Sequence, residues 1–162
     1  MRKAVAIATT THSDKAARLK ELGADHILNV QDENYVAQVK AISGGKGAKV
    51  IFDPVAGPST RHHIAAAASH ATLFIYGRLD RNPMDIHPGV LMKKLLTVKG
   101  YTLYTLFENP LLLKQAVEGI TQGLEQGLLQ PIIAKQFSLE QVQQACAYME
   151  ANQQLGKIVI NP

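Results

Sequence analysis

Two textures of apolar patterning alternate along the first two-thirds of the chain: short consecutive apolar runs, and stretches in which apolar residues recur every three or four positions. The run Ala4-Val5-Ala6-Ile7-Ala8, bounded by Thr9, Thr10 and Thr11, reads as a buried strand. A helix follows at once, with Thr11 and Asp14 in capping-box spacing, Ala16, Leu19 and Leu22 at helical intervals, and Gly23 placed to end it. The pattern repeats with a strand from His26 to Val30 and a helix whose face is Tyr35, Val36, Val39 and Ile42, closed by Gly44-Gly45. Lys49 to Phe52 predicts a third strand, ending in the small-residue turn Asp53-Pro54-Val55-Ala56-Gly57. Ser59 or Thr60 is positioned to cap an alanine-rich helix running through Ser69. A fourth strand, Thr72 to Tyr76, ends at Gly77; a polar loop with Pro83 and Pro88, a short helix over Val90 to Lys94 and a fifth strand over Leu95 to Tyr104 complete the series. Near-continuous apolar strands alternating with helices predict the α/β class, a parallel sheet with helices on both faces.

Beyond Leu106 the texture changes. Asn109-Pro110 opens a long helix with a cap followed by proline at the first helical position, and its predicted buried stripe is Leu113, Ala116, Val117, Ile120 and Leu124. Gly127 ends it, and a strand-like Pro131 to Ala134 follows. Ser138 and Gln141 form a capping box for a helix to about Asn152, and Lys157 to Ile160 reads as a last short strand. The expected organisation is a partial nucleotide-binding domain over 1–106 and a return segment over 107–162.

Composition narrows the class. With 162 residues, 46% of them apolar, the chain can bury a core. A net charge of +4 from scattered basic residues fits an anionic small molecule better than nucleic acid. The single cysteine, Cys146, has no intramolecular partner and sits on a predicted helix beside Val142, Ala145 and Met149, where burial is expected. No stretch approaches the roughly 20 apolar residues of a membrane span, so a soluble cytoplasmic protein is expected, with no membrane partner. The six histidines, including His62, His63 and His70, lack a cysteine or carboxylate at ligand spacing and are expected to be surface or cap residues, with no metal site.

The candidate chemistry lies at the strand ends. Lys15, in the first turn of a helix, opposes the helix dipole unless an anion lies nearby, and Arg18 follows one turn later. A strand running through Thr9 and Thr10 into a lysine-bearing helix start is suited to meet phosphate. Asp53 at a strand end suggests an alternative, a flavodoxin-like receiver domain, but a receiver needs an acidic pair after its first strand, where this chain has Thr9 and Thr10. A hydrogen-bonding role in the turn at Pro54 is the simpler reading of Asp53. A non-catalytic dimerisation module is a further alternative.

The successive segments VAIATTTHSDKAARLKELGADHILN, KVIFDPVAG, ATLFIYGR, LLTVKGYTLY and a tail ending in LGKIVI resemble the nucleotide-binding and C-terminal part of the zinc-independent quinone oxidoreductases of the medium-chain dehydrogenase/reductase superfamily. The resemblance implies a Rossmann-like sheet in which these are the second to sixth strands of a 3-2-1-4-5-6 order. It places Thr9 and Thr10 at the adenosine ribose, Lys15 at the 2′-phosphate of NADPH, and Asn29 on the adenosine side, where Val30 replaces the family's tyrosine. Val55, Ala56 and Gly57, with Tyr76 and Gly77, would lie against the nicotinamide half. The neutral threonines agree with NADPH, because an NAD-specific unit carries an acidic residue at that strand end.

By the same resemblance a first strand and its Gly-rich turn would precede Ala4, and Gly44-Gly45-Lys46-Gly47 follows a helix rather than a strand and cannot replace that turn. The expectation is therefore a fragment, with a gap at the sheet centre, weak NADPH binding and no turnover alone. Quinones or enones would be substrates of the complete enzyme, no catalytic residue can be named, and a homodimer would form through the Leu95 to Tyr104 edge strand.

Overall fold

The computed structural model describes residues 4–151 and 154–162, so the expected helix end at Asn152 lies outside the described residues. Two compact units are present, Met1–Leu103 and Tyr104–Pro162.

In the first unit, β1 (Ile7–Thr9) and β2 (His26–Leu28) pair in parallel, Thr9 opposite Leu28. The Asp25 carboxylate accepts the Ala6 N–H at 2.8 Å and tightens the entry to both strands. Between them a single 3-10 turn, Ser13–Lys15, leads into α1 (Ala16–Glu21). The capping box expected of Thr11 and Asp14 does not form. His12 occupies the cap position without a side-chain cap, and the Thr11 hydroxyl is 3.1 Å from the His12 ring instead. Gly23 adopts φ 101° past the helix end, as its placement predicts.

α2 (Tyr35–Ile42) starts over Asp32, whose side chain accepts from the Asn34 N–H and the Gln38 amide. It lies beside α3 (Thr60–Ala66), and together they make the core: Tyr35, Val39 and Ala66 are buried, with Ile7 and Leu28 of the first sheet and Ala48 of the second packed on them. One helix layer thus ties two sheets together.

The second sheet is parallel, in the order β3 (Ala48–Asp53), β4 (Ala67–Ile75), β5 (Thr97–Gly100). β1 and β3 belong to separate sheets, and the interruption falls where the 3-2-1-4-5-6 order puts its first strand. Strand alternation puts Asp53 and Leu73 on the buried side and leaves Val50 and Phe52 on the other, Phe52 being 67% exposed while it stacks on Phe74 at 5.2 Å.

The helix expected to reach Ser69 ends at Ala66, and β4 begins at Ala67 rather than Thr72. The reason is long-range. Lys94, at the end of α4 (Pro88–Lys94), donates from Nζ to the carbonyls of Ile64, Ala65 and Ala67 at 2.7–2.9 Å, and Lys49 Nζ donates to those of Ser69 and His70. His70 is therefore in a strand, and its seven-residue spacing from His63 defines no helical face. The fifth strand is also shorter than expected at both ends: Leu95 ends α4 in the left-handed conformation, and the chain turns helical again at α5 (Tyr104–Phe107).

In the second unit, Asn109 caps α6 (Pro110–Glu125) by accepting the Leu112 N–H, as expected. Its apolar stripe is not buried: Leu113 and Ala116 are only partly covered, and Val117, Ile120 and Leu124 are exposed. The small core of this unit is made instead by β6 (Ile133–Ser138), α7 (Val142–Glu150) and β7 (Lys157–Asn161), a βαβ unit that buries Phe137 and Ala145. β6 starts later than the expected Pro131, whereas the Ser138/Gln141 capping box forms as read. Cys146 corrects its expectation: the inward side of α7 is Ala145 with Tyr148, and the thiol one residue on is exposed. Among the described residues no helix is long and apolar enough to cross a membrane.

Candidate functional site

The predicted residues gather at the C-terminal ends of parallel strands, in two groups. The first is at the ends of β1 and β2. Thr10 continues the ladder by donating its N–H to the Leu28 carbonyl, and its hydroxyl accepts the His12 N–H at 3.1 Å, which folds the loop back over the strand end. Asn29, the first residue after β2, accepts the Gln31 N–H at 2.9 Å. Lys15 follows in the 3-10 turn, half-buried. Two neutral hydroxyl residues and a cation thus share one strand end, without a carboxylate at Thr9 or Thr10.

The second group lies at the ends of β3 and β4, and a buried carboxylate builds it. Asp53, 1% exposed, accepts the Val55 and Ala56 N–H groups, each at 2.9 Å, and the Thr60 hydroxyl at 3.2 Å. Those bonds hold Ala56 at φ 60°, ψ −147°, a conformation otherwise close to glycine-only and costing on the order of 1–3 kcal/mol. Ser59 makes no cap bond, and Thr60 turns inward to Asp53 rather than capping α3. The turns then pack closely, Gly77 on backbone and Gly57 on a side chain. A Cβ at Gly77 would lie 2.5 Å from the Pro54 carbonyl oxygen, and one at Gly57 would lie 2.5 Å from Asp80 Cγ. Tyr76 donates its N–H to the Asp53 carbonyl and is half exposed beside Phe52. Val55, Ala56, Gly57, Tyr76 and Gly77 therefore come together as one cluster, with Ala56 and Gly57 buried and Val55 and Tyr76 exposed, while Thr9, Thr10, Lys15 and Asn29 lie on the neighbouring sheet.

Beneath the second group, the Tyr35 hydroxyl is 3.1 Å from His63 Nδ1, joining α2 to α3. His63 is buried, contrary to the surface or cap role expected of the histidines, because α3 presents it to α2. Burial holds its imidazole below the ordinary value of 6.5, the Asp53 carboxylate opposing and His62 adding to the shift. Tyr35 is pushed up to about 12, by burial first and the same carboxylate second.

The loop after Gly77 was not foreseen as part of the site. Leu79 and Asp80 donate their N–H groups to the Pro54 and Val55 carbonyls, and Asp80 Oδ1 accepts the Asn82 N–H and side-chain amide, both at 2.9 Å. The Asp80-Arg81-Asn82 spacing, an Asx-turn signal, was the clue available in the sequence. Ala56, Ile75, Gly77, Arg78, Asn82, Pro83 and Met84 line an open depression of about 240 Å³ against the two turns. Among the described residues no group of three or more His, Cys, Asp or Glu side chains is placed to hold a metal ion.

Parallel strands alternating with helices, their turns gathered at the strands' C-terminal ends, make a Rossmann-type α/β domain. Residues 22–160 match the family model described as zinc-binding dehydrogenase, and the chain belongs to that family. It is 23% identical over 161 residues to a 2-haloacrylate reductase of Burkholderia sp., covering 98% of this chain and 48% of that protein. It is 28% identical over 123 residues to a quinone oxidoreductase of Sus scrofa, covering 76% of this chain and 36% of the relative. The structure of an Escherichia coli quinone oxidoreductase complexed with NADPH superposes with a TM-score of 0.85 at 21% identity, over 96% of this chain and 49% of that one. The chain thus spans about half the length, or less, of the relatives it matches.

Proposed function

We propose that this chain is the cofactor-binding portion of an NADPH-dependent oxidoreductase acting on quinones or conjugated carbonyl compounds, its second unit being the return segment toward a catalytic domain. The observation that carries the reading is the placement of Thr9, Thr10 and Lys15 at one strand end: neutral hydroxyls where an NAD-specific unit has a carboxylate, followed by a cation. These residues fit the 2′-phosphoribose of NADPH, with Asn29 beside the adenosine. By the family resemblance Val55, Ala56, Gly57, Tyr76 and Gly77 serve the nicotinamide half; the close packing of Gly57 on Asp80 and of Gly77 on Pro54 fixes these turns, and Val55 and Tyr76 are the exposed residues among them. When bound, NADPH would supply a hydride to the electron-poor carbon of the substrate. The protein's part is to hold the 2′-phosphate with Lys15, to fix the ring face with turns that Asp53 locks, and to keep water from that face.

Asp53 supports this over a receiver domain, since both its oxygens are engaged below the surface and neither presents itself to a phosphoryl donor. Taken alone, the chain is expected to bind NADPH weakly and not to turn over, because its sequence holds no GxGxxG-like turn to cradle pyrophosphate. β5 pairs with β4 along one edge and is exposed along its whole length, which supports the homodimer reading; light scattering on the purified chain tests it, a clean monomer counting against it. A cytoplasmic setting belongs to the same reading.

The deciding measurement is a titration of the chain with NADPH and with NADH, followed by the amide resonances of Thr9, Thr10 and Lys15. The expected result is weak binding that favours NADPH and loses that preference in Lys15→Glu. Equal response to NADH, or a Lys15→Glu variant that keeps the preference, would refute the assignment; micromolar binding with steady quinone reduction would overturn the expected inactivity.

A further inference from the structure

We propose that His63 is a proton-operated release for the 55–57 turn: taking up a proton on its imidazole frees the start of α3 and, with it, the hold of Asp53 on Ala56. The inference rests on the proposed function for its consequence, since this turn serves the nicotinamide half there, but the device itself is built from buried side chains. Thr60 and His63 stand three residues apart on α3 and so share one face of it. Both are buried, Thr60 against Asp53 of β3 through its hydroxyl at 3.2 Å, and His63 against Tyr35 of α2 at 3.1 Å. Asp53 in turn accepts the Val55 and Ala56 N–H groups, each at 2.9 Å, and keeps Ala56 at positive φ. One buried line of polar groups therefore runs from α2 through α3 to the turn.

The charges around His63 decide which way the device works. Burial selects the neutral imidazole, His62 adds to that preference, and Asp53, the carboxylate of the cluster, opposes it. The other charged groups of the packed elements are engaged elsewhere. Arg61 pairs with Asp85, Asp32 before α2 holds Asn34 and Gln38, and Lys49 of β3 takes the Ser69 and His70 carbonyls. Lys94 of α4, with Lys40 and Lys93 around it, takes carbonyls at the far end of α3, and β4 contributes only His70 as a titratable group. An opening that brings His63 to water restores its ordinary proton affinity, so below pH 6.5 each opening takes up a proton and becomes more frequent as pH falls. Protonation also changes the bond to α2. Both nitrogens of an imidazolium are donors, so the Tyr35 hydroxyl, pushed up to about 12 and hence still protonated, can no longer donate to Nδ1. The longest of the Asp53 bonds is the one to Thr60, on the same face of α3, and its loss leaves the turn tied to Oδ1 alone.

The test is amide hydrogen exchange on the isotope-labelled full chain without cofactor, from about pH 7.5 to about 5, corrected for the intrinsic pH dependence of exchange and run beside a titration of the His63 ring resonances. Protection at Val55 and Ala56 should fall by up to about tenfold per pH unit below 6.5, the factor for one proton, and level off where the His63 ring titrates. His63→Gln should flatten that dependence, and the match between turn and ring in the unaltered chain decides the matter even where the variant does not fold. Low urea should hardly change the exchange of these two amides while accelerating that of Leu73 in β4, the mark of an opening smaller than unfolding. Constant protection across the window, a levelling-off away from the ring midpoint, or a pH dependence that persists in His63→Gln would each overturn the proposal. So would Val55 and Ala56 amides that follow urea as steeply as Leu73. The cofactor reading is scored separately on the response of Thr9 and Lys15 to NADPH, so either assignment can fail while the other stands.

Discussion

α2 and α6 both present an apolar face to be covered, and only one is covered. α2 has 8 residues and buries Tyr35 and Val39 against α3, with strands of two sheets behind them. α6 has 16 residues and a better-defined stripe, yet buries none of them, Val117 and Ile120 being more than half exposed. The difference shows what an amphipathic pattern specifies: the side of a helix that gains from burial, but not the surface that provides it. α2 also carries specific polar chemistry on its buried side, the Tyr35–His63 contact next to Asp53 and Thr60, whereas the α6 stripe is aliphatic and small. A layer built this way should be sensitive to single substitutions, and the exposed stripe should not be.

The largest expected effect breaks the covered side. Asp53→Ala leaves the Val55 and Ala56 N–H groups and the Thr60 hydroxyl without their acceptor and should cost about 3 kcal/mol in urea unfolding, with faster amide exchange across 55–57. Val39→Ala, at a residue 1% exposed, should cost about 2 kcal/mol by the same measurement, from lost transfer energy plus the cavity left behind. A third prediction concerns pH. His63 is held below 6.5 in the folded chain, so the unfolded chain binds more protons between the two values. Stability is therefore full above pH 6.5 and declines as pH falls through that window, with a slope no steeper than about 1.4 kcal/mol per pH unit for one proton. Unfolding midpoints from pH 7.5 down to about 5 should show this decline, and His63→Gln should remove it. The smallest effect sharpens the other side: Ile120→Gln should change stability by no more than about 0.5 kcal/mol. A larger loss, with a change in mass by light scattering, would show that the α6 stripe is covered in solution.

What could be read from the sequence divides along the same line. Features set by neighbours within one turn were legible: the Asn109-Pro110 start of α6, the Ser138/Gln141 box and the helix end at Gly23. So was the turn at Val55 to Gly57, because small residues after an apolar run have few other uses. Features set by distant partners were not. The end of α3 depends on a lysine 27–30 residues further on, and the inward turn of His63 depends on Tyr35, 28 residues back. Thr11 and Asp14 had capping-box spacing, but the histidine between them took the cap position and the Thr11 hydroxyl. Cys146 was misplaced because its apolar neighbours Val142 and Met149 are themselves exposed. The loop carrying Arg78 gave no periodic signal, and its place in the site follows only from its backbone bonds to Pro54 and Val55.

Lys94 has a chemical consequence of its own. An ammonium has three protons, and this one commits them to the carbonyls of Ile64, Ala65 and Ala67. Burial lowers its proton affinity, with Lys40 and Lys93 adding to the effect, so by basicity alone it would be among the readier amines to acylate. The three carbonyls stand in the way of that reaction. Acylation at Lys94 therefore registers each opening of the junction between α3 and β4, and the order in which the lysines are labelled becomes a chemical clock for the part of the chain that carries the 55–57 turn.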